Sequence, residues 1–172
     1  MKKILLLISR FIGKGRVFKI VFNLSPMYRR SGGRIVKATD DFKSVRIKLR
    51  LNYKTRNYVG TLYGGHMYSC VDGIYMVQIM NILGEDFVVW DKEATIKFKR
   101  PGDKTLYANF VLTDEKITQI KKEIDQDKEK DYLFEVDLVD LDGAVYAHIE
   151  KKIYIASKAH YKQKRKRKAN NE

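Results

Sequence analysis

The chain has 172 residues, which is the length of one domain with a short tail. Hydrophobic residues make up 44% of it and charged residues 33%, so the chain can bury a core and is not disordered throughout. With two prolines and 11 glycines, its composition excludes collagen-like and low-complexity classes. A single cysteine, Cys70, excludes a disulfide framework and a zinc site built on cysteines.

The net charge of +14 is concentrated at the two ends of the chain. Residues 1–50 hold 14 Lys and Arg against 2 Asp and Glu, residues 51–157 hold 14 against 18, and residues 158–172 hold 7 against 1. Basic ends suit a phosphate-rich partner, an anionic membrane surface or a solvated lysine-rich surface. The last segment has no apolar periodicity, which predicts a disordered basic tail over residues 158–172.

Residues 1–26 are interpreted as a separate basic, amphipathic N-terminal segment. Apolar residues at positions 4, 5, 8, 11 and 12 follow one face of a helix. Such a helix either covers the core of the domain or lies on a membrane surface, and both interpretations stay open. The apolar run from Ile4 to Ile8 is far shorter than the roughly 20 residues that cross a bilayer. We therefore predict a soluble cytoplasmic protein, with peripheral membrane attachment as an alternative.

Alternation of apolar and polar residues predicts an antiparallel sheet of five or six strands. The pattern is clearest in residues 42–51, where Val45, Ile47 and Leu49 alternate with polar and charged residues, as in a half-buried strand. The strands are expected at residues 34–39, 42–51, 86–90 with 93–99, 106–112, 133–139 and 144–155.

Two helices are predicted between these strands. Residues 65–83 form the most apolar stretch, and 12 of the 17 residues from Met67 to Leu83 are apolar or aromatic, which indicates a helix buried on all sides. Residues 114–126 indicate a shorter, exposed helix. These elements predict an α+β domain over residues 27–157, with the sheet wrapped around one long buried helix.

One charged residue interrupts the apolar centre of the chain. Asp72 is the only charge between Arg56 and Glu85, and no Lys or Arg lies near it in sequence. A buried carboxylate needs partners, so Asp72 is either a functional acid in a cleft, an acid hydrogen-bonded to a helix N-terminus, or an acid exposed on a thin polar strip. The preceding Gly64 and Gly65 leave backbone N–H groups that could bind a developing oxyanion.

The segment Asn57–Asp72, NYVGTLYGGHMYSCVD, resembles the loop-and-helix motif of hotdog-fold acyl-CoA thioesterases, in particular the phenylacetyl-CoA thioesterase-like branch. The segment 98–102, FKRPG, looks like the following strand and turn of that family. The segment 89–92, VWDK, and the basic N-terminal extension look closer to a related hotdog family of unassigned function. The resemblance covers roughly residues 20–156 and implies the hotdog fold.

The resemblance also implies roles for individual residues. Asp72 would be the nucleophile or the base that activates water, the Gly65 N–H would polarise the thioester carbonyl, and Asn57 would orient the water or the carboxylate. Tyr63 stands where the thioesterase branch has His, and a tyrosine does not shuttle protons as readily at neutral pH. The residues implied to bind substrate are Tyr58, Thr61, Tyr63, Gly64 and Met67.

The partners implied by the resemblance are an acyl-CoA or acyl-carrier thioester and a second copy of the chain, as a dimer or dimer of dimers. Coenzyme A would enter as part of the substrate, with no other cofactor and no metal. The residues expected to contact its phosphates are Lys54, Arg56, Lys97, Lys99 and Arg100, although these also fit a solvated strand face. Specific nucleic-acid readout is not expected, because no aromatic platform is interleaved with the basic tail.

Three functions remain open from the sequence. The first is hydrolysis of an aromatic or fatty acyl thioester through Asp72. The second is a non-catalytic acyl-CoA or lipid-binding hotdog protein, which Tyr63 favours, and the third is a nucleic-acid regulator using the basic ends. Cys70 is expected to be a buried hydrophobic residue, and His66 a surface or interface histidine, because neither has the setting of a catalytic or metal-binding group.

Overall fold

The computed structural model describes residues 11–169, which form one six-stranded antiparallel sheet with helices packed on it. The spatial order of the strands is β1-β2-β4-β5-β6-β3, so β1 and β3 are the two edges. The strands are β1 Gly33–Ala38, β2 Ser44–Leu49, β3 Phe87–Phe98, β4 Leu106–Val111, β5 Glu129–Val139 and β6 Val145–Ser157. The helices are α1 Lys14–Leu24, α2 Pro26–Arg30, α3 Gly64–Ser69, α4 Ile74–Leu83, α5 Asp114–Asp127 and α6 Lys158–Ala169.

The sheet forms as the alternation predicts. In β2 the side chains of Val45, Ile47 and Leu49 are buried and the intervening ones are partly exposed. The inward hydrophobic side chains of the strands and those of α4 make one core, because a period of two places every second residue on the same face of a strand. The prediction of an α+β fold with a six-stranded antiparallel sheet is confirmed.

The single long helix expected over residues 65–83 is two helices, α3 and α4, with a turn between them. The break ends at Gly73, whose φ of 74° is left-handed, a conformation that glycine adopts at little cost. Apolar composition alone concealed this break. Its consequence is that Asp72 lies at a helix interruption and not inside a buried helix.

Helix α1 is fixed to the edge strand β1 through one of its faces. Gly15 is buried so closely that a Cβ there would lie 2.3 Å from the carbonyl oxygen of Ala38. The Asn23 side chain donates to the carbonyl of Ile35 and accepts from its N–H, both at 2.8 Å. The apolar run at residues 4–8 that the sequence singled out lies outside the described residues.

Two further elements differ from expectation. The strands expected at 86–90 and 93–99 are one strand, β3, with an irregularity between Asp91 and Glu93. The expected disordered tail is helical as far as Ala169, because Lys164 pairs with Glu129 at 2.7 Å and Lys, Arg, Gln and Ala favour helix. Within the described part of the chain, no helix is both long enough and apolar enough to span a membrane.

Candidate functional site

A pocket of about 380 Å³ lies where α2 faces α3 and the helix break. It brings together three residues that the sequence singled out, namely Asp72, Gly65 and Tyr63. The buried Tyr28 donates its hydroxyl to the carbonyl of Cys70 at 3.1 Å, which ties α2 to the break and fixes this side of the pocket. The remaining lining residues are Met27, Tyr28, Arg30, Ser31, His66 and Ser69.

The carboxylate of Asp72 is held by one of its two oxygens. Its Oδ1 accepts from the Lys151 ammonium at 2.5 Å and from the Tyr68 hydroxyl at 3.2 Å. Its Oδ2 accepts no hydrogen bond from residues 11–169. The side chain of Asp72 is 47% exposed, so of the alternatives that the sequence left open, those with an acid partly open to solvent fit the structure. The geometry is that of a carboxylate oriented through one oxygen, with the other oxygen unpaired within the described residues.

Lys151 is the partner that the sequence analysis missed. Its side chain is only 3% exposed and lies between Asp72 and Asp91, with Nζ 3.2 Å from Oδ1 of Asp91. Burial alone would lower the pKa of Lys151, but its hydrogen bond to Asp72 and the charges of both carboxylates raise the pKa above its usual value. Lys151 is therefore a cation at neutral pH, placed between the two carboxylates.

Two opposing effects act on the pKa of Asp91, the third member of this group. Burial raises the pKa of the Asp91 carboxyl, although the nearby Lys151 cation opposes that shift. The Asp91 Oδ1 faces Lys151 within ion-pair distance but without the alignment of a hydrogen bond. Lys151 thus compensates one half-buried and one half-exposed carboxylate, and its tighter contact is with Asp72.

A signal for Lys151 is present in the sequence. In β6 the residues Ile149, Ile153 and Ile155 are fully buried, and Lys151 occupies the inward position of the same alternation. A lysine on the core face of a strand must find a carboxylate. Sequence separation hid the partner, because Asp72 precedes Lys151 by 79 residues.

The backbone N–H groups of Gly64 and Gly65 donate no hydrogen bond within the described residues, since the first helical bonds of α3 run from His66 and Met67 to the Tyr63 carbonyl. The Tyr63 ring lies over Gly65, so a Cβ at residue 65 would lie 2.3 Å from the ring. Gly65 therefore lines the pocket with an N–H that has no partner within the described residues, and the Tyr63 ring fills the space that a side chain at residue 65 would need.

The other predicted residues of this segment lie elsewhere. Asn57 donates to the Thr61 hydroxyl at 2.9 Å and accepts from two N–H groups of its own loop, so it organises the loop rather than the Asp72 carboxylate. Tyr58 is fully exposed at the loop tip, and Met67 is buried in the core. Gly64 packs near the Phe98 ring. Cys70 is buried, and burial raises the pKa of its thiol.

A second pocket, of about 530 Å³, adjoins the first and shares Arg30 and His66 with it. Nδ1 of His66 lies 3.0 Å from the Ser31 carbonyl, which can only accept, so Nδ1 carries the proton. Three cations line this pocket and no carboxylate does. We call it the basic pocket; its lining residues are Pro26, Arg29, Arg30, Gly32, Asn52, Lys54, Thr55 and His66.

Of the residues that the sequence proposed for phosphate contacts, Lys54 lines the basic pocket, whereas Arg56 and the other three line neither of these two pockets. Lys97, Lys99 and Arg100 line a separate pocket that also contains Asp137. Lys97 is already paired with Glu150 at 2.6 Å. The structure adds Arg29 and Arg30 to Lys54 in the basic pocket, and sequence spacing did not reveal that these three cations lie together.

The family of the chain is decided by comparison with family models. Residues 13–155 match the family described as Domain of unknown function (DUF4442). The chain belongs to the DUF4442 family. A comparison with curated protein sequences found no match. The match begins inside the N-terminal segment, so α1 is part of the DUF4442 domain.

Solved structures share the fold of this DUF4442 chain. A Pseudomonas aeruginosa protein, PA5026, described as a protein of unknown function and probable thioesterase, is 20% identical with a TM-score of 0.71, over 83% of this chain and 95% of that chain. The Haemophilus influenzae thioesterase HI1161 is 11% identical with a TM-score of 0.60, over 83% and 90%. The Chlorobaculum tepidum protein OLEI01261, of unknown function, is 12% identical with a TM-score of 0.66, over 83% and 93%. The predicted hotdog fold is confirmed.

Proposed function

We propose that this protein hydrolyses an acyl thioester, with Asp72 as the acid–base or nucleophilic group. The observation that carries the proposal is the Asp72 carboxylate, held through Oδ1 by Lys151 and Tyr68 while Oδ2 is free at a pocket wall. Structural neighbours that are named thioesterases support the reaction class.

The reaction needs one group that accepts a proton and one hydrogen-bond donor that stabilises the oxyanion. Asp72 accepts a proton from water, the hydroxide attacks the carbonyl carbon, and the carbonyl oxygen becomes an oxyanion that the free N–H of Gly65 can bind. The carbon–sulfur bond then breaks, and the proton leaves Asp72 for the thiolate. In the alternative, Asp72 Oδ2 attacks the carbonyl carbon, the carbon–sulfur bond breaks to release the thiolate, and a mixed anhydride with Asp72 remains. Water then attacks this anhydride and regenerates the Asp72 carboxylate; the acyl group leaves as the acid, and the remaining proton of the water passes to the thiolate.

The proposal includes a homodimer, in which two copies of the chain associate. The edge strand β3 is 12 residues long and carries the exposed Trp90 and Phe98. An edge of this length invites pairing with another strand. Dimerisation through β3 would bring a second pocket, and the loop containing Asn57 and Tyr58, to the same interface.

Coenzyme A is the proposed carrier of the acyl group, because cations that lack carboxylate partners border the pocket of Asp72. Within residues 11–169, Arg29, Arg30 and Lys54 form no ion pair, whereas Lys97 is paired. Phosphate groups bind arginine in bidentate fashion and lysine as a point charge. An acyl-CoA would then occupy both pockets, with its acyl chain beside Asp72 and its phosphates in the basic pocket.

Replacing Arg29 and Lys54 by Gln together is expected to raise KM for an acyl-CoA about tenfold and to leave kcat nearly unchanged, because phosphate contacts bind substrate and transition state alike. KM for the matching acyl-pantetheine, which has no nucleotide phosphates, should not change. The control is Lys97→Gln with Lys99→Gln, which should leave both KM values unchanged. A larger KM change in the control than in the Arg29 and Lys54 variant would contradict the assignment.

The reaction itself is tested by thiol release from a panel of acyl-CoAs of short, fatty and aromatic acyl groups, using the full chain. We expect turnover with fatty or aromatic groups, since apolar and aromatic side chains such as Met27 and Tyr63 line the pocket. Release at the rate of the buffer blank with every substrate, from folded protein, would overturn the proposal.

A non-catalytic acyl-CoA or lipid-binding protein is the second candidate. The contact of Lys151 with Asp72 favours it, because the Oδ1 oxygen that forms this ion pair is not available to a water or to a thioester. Tyr63, in the position of the histidine of the thioesterase branch, points the same way. Raised thermal stability with an acyl-CoA that is not hydrolysed would support this candidate over the first.

A further inference from the structure

Helix α1 is apolar on two opposite faces. Phe18 and Phe22, one turn apart, form the inner face and pack against the Phe42 and Tyr28 rings. Ile20 and Leu24, also one turn apart, project from the opposite side, since they lie about 200° around the helix from the inner pair. A helix that is apolar all round is normally covered on both sides. The described residues cover only one.

The outer face is exposed, and its last member also lines the pocket. Leu24 is 65% exposed and Met27 is 68% exposed, with Ile20 and Val21 exposed beside them. Met27 lies on α2 and also lines the pocket of Asp72. We call the set Ile20, Val21, Leu24 and Met27 the outer face. It therefore runs from the side of the domain to the mouth of the candidate active site.

The charges carried by α1 and α2 themselves have one sign. Residues 14–30 contain five cations and no Asp or Glu. None of these cations forms an ion pair within residues 11–169. They are Lys14, Arg16, Lys19, Arg29 and Arg30.

We propose that the outer face of α1 and α2 docks this protein on an anionic membrane surface, with the mouth of the Asp72 pocket at the lipid. An apolar stripe flanked by cations is the pattern of a helix that lies in the membrane interface. A second copy of the chain fits less well, because two such faces would bring like charges together. The anchors of α1 on β1, at Gly15 and Asn23, hold the helix with this face outward.

The test is flotation of the full chain with vesicles of phosphatidylcholine alone and with one-third phosphatidylserine, at low and high salt. We expect binding to the anionic vesicles only, weakening as salt rises. The variant Ile20→Ser with Leu24→Ser should bind the anionic vesicles at least about tenfold more weakly, since it removes two apolar side chains that would insert into the lipid. The matched control is Leu133→Ser with Leu141→Ser, whose side chains are 65% and 75% exposed elsewhere on the domain; it should bind as the parent does.

Several results would overturn the proposal. Binding that survives Ile20→Ser with Leu24→Ser would assign it to the basic helix α6. An equal loss of vesicle binding in Leu133→Ser with Leu141→Ser would show that the effect is not specific to the outer face. A fall in oligomeric mass for the outer-face variant, without vesicle binding by the parent, would show that a second copy covers the face. Vesicle binding does not require turnover, so failure here and failure of the thioesterase proposal are separate results.

Discussion

The change Asp72→Asn is expected to lower kcat/KM for the best acyl-CoA by about 100-fold to 10,000-fold, the range lost with a general base. Asparagine keeps an oxygen that can accept from Tyr68 and Lys151, so the pocket geometry survives while the basic oxygen is lost. The measurement is thiol release under conditions far below saturation. Thermal unfolding of both proteins checks that the variant is folded.

The control for this prediction is Asp142→Asn, which removes a carboxylate from an exposed hairpin turn. Its kcat/KM should equal that of the parent within about twofold, because a distant exposed charge changes little. Retention of more than one tenth of the activity in Asp72→Asn would contradict the assignment of Asp72. Unchanged binding with no turnover in either protein would favour the acyl-binding candidate.

The change Lys151→Met is expected to lower the free energy of unfolding by about 3 kcal/mol, the lower end of the range for breaking a buried pair. The half-buried Asp91 loses its cation, and Asp72 loses its tightest contact. Because burial raises the pKa of Asp91 in the folded state, its ionisation destabilises the variant as pH rises. The deficit should therefore be smaller in acid than at neutral pH. Urea unfolding at both pH values measures it.

The neighbouring residue provides the matched control for this stability measurement. Lys152 pairs with Glu93 on the exposed side of the same strand, and such surface pairs contribute about 0–1 kcal/mol. Lys152→Met should therefore cost little. Adding Asp91→Asn to Lys151→Met should restore at least about 1 kcal/mol, because an uncompensated carboxylate is removed. Equal losses at Lys151 and Lys152, or no recovery in the double variant, would contradict the account.

The sheet was predictable because burial on one face of a strand leaves a period of two in the sequence. That period locates β2 and β6 to within a few residues. The break between α3 and α4 was not predictable from apolar content, because Gly73 and Ser69 are compatible with both a helix and a turn. A left-handed backbone conformation costs little free energy at glycine, so the composition of this stretch does not reveal the break.

The site was predictable where its residues are close in sequence. Gly65 and Asp72 are seven residues apart, and both line one pocket. Lys151 was not found because its contact with Asp72 depends on how β6 packs beside the helix break. The basic pocket was missed for the same reason, since Arg29 and Lys54 come from different segments and meet only in the folded chain.

The tail shows a competing effect that composition misjudged. A block of like charges repels itself, which predicts disorder over residues 158–172. In the structure α6 is helical to Ala169, and Lys164 pairs with Glu129 of β5. One well-placed carboxylate and high helix propensity offset the repulsion.

The position of the thioester in the pocket tests the central claim most directly. The measurement is a crystal structure of Asp72→Asn bound to the acyl-CoA that the parent hydrolyses. The account predicts the thioester carbonyl carbon within about 3.5 Å of the side chain of residue 72, or joined to it by one water, as a near-attack geometry requires. A carbonyl held far from residue 72, with the acyl chain in another pocket, would contradict it.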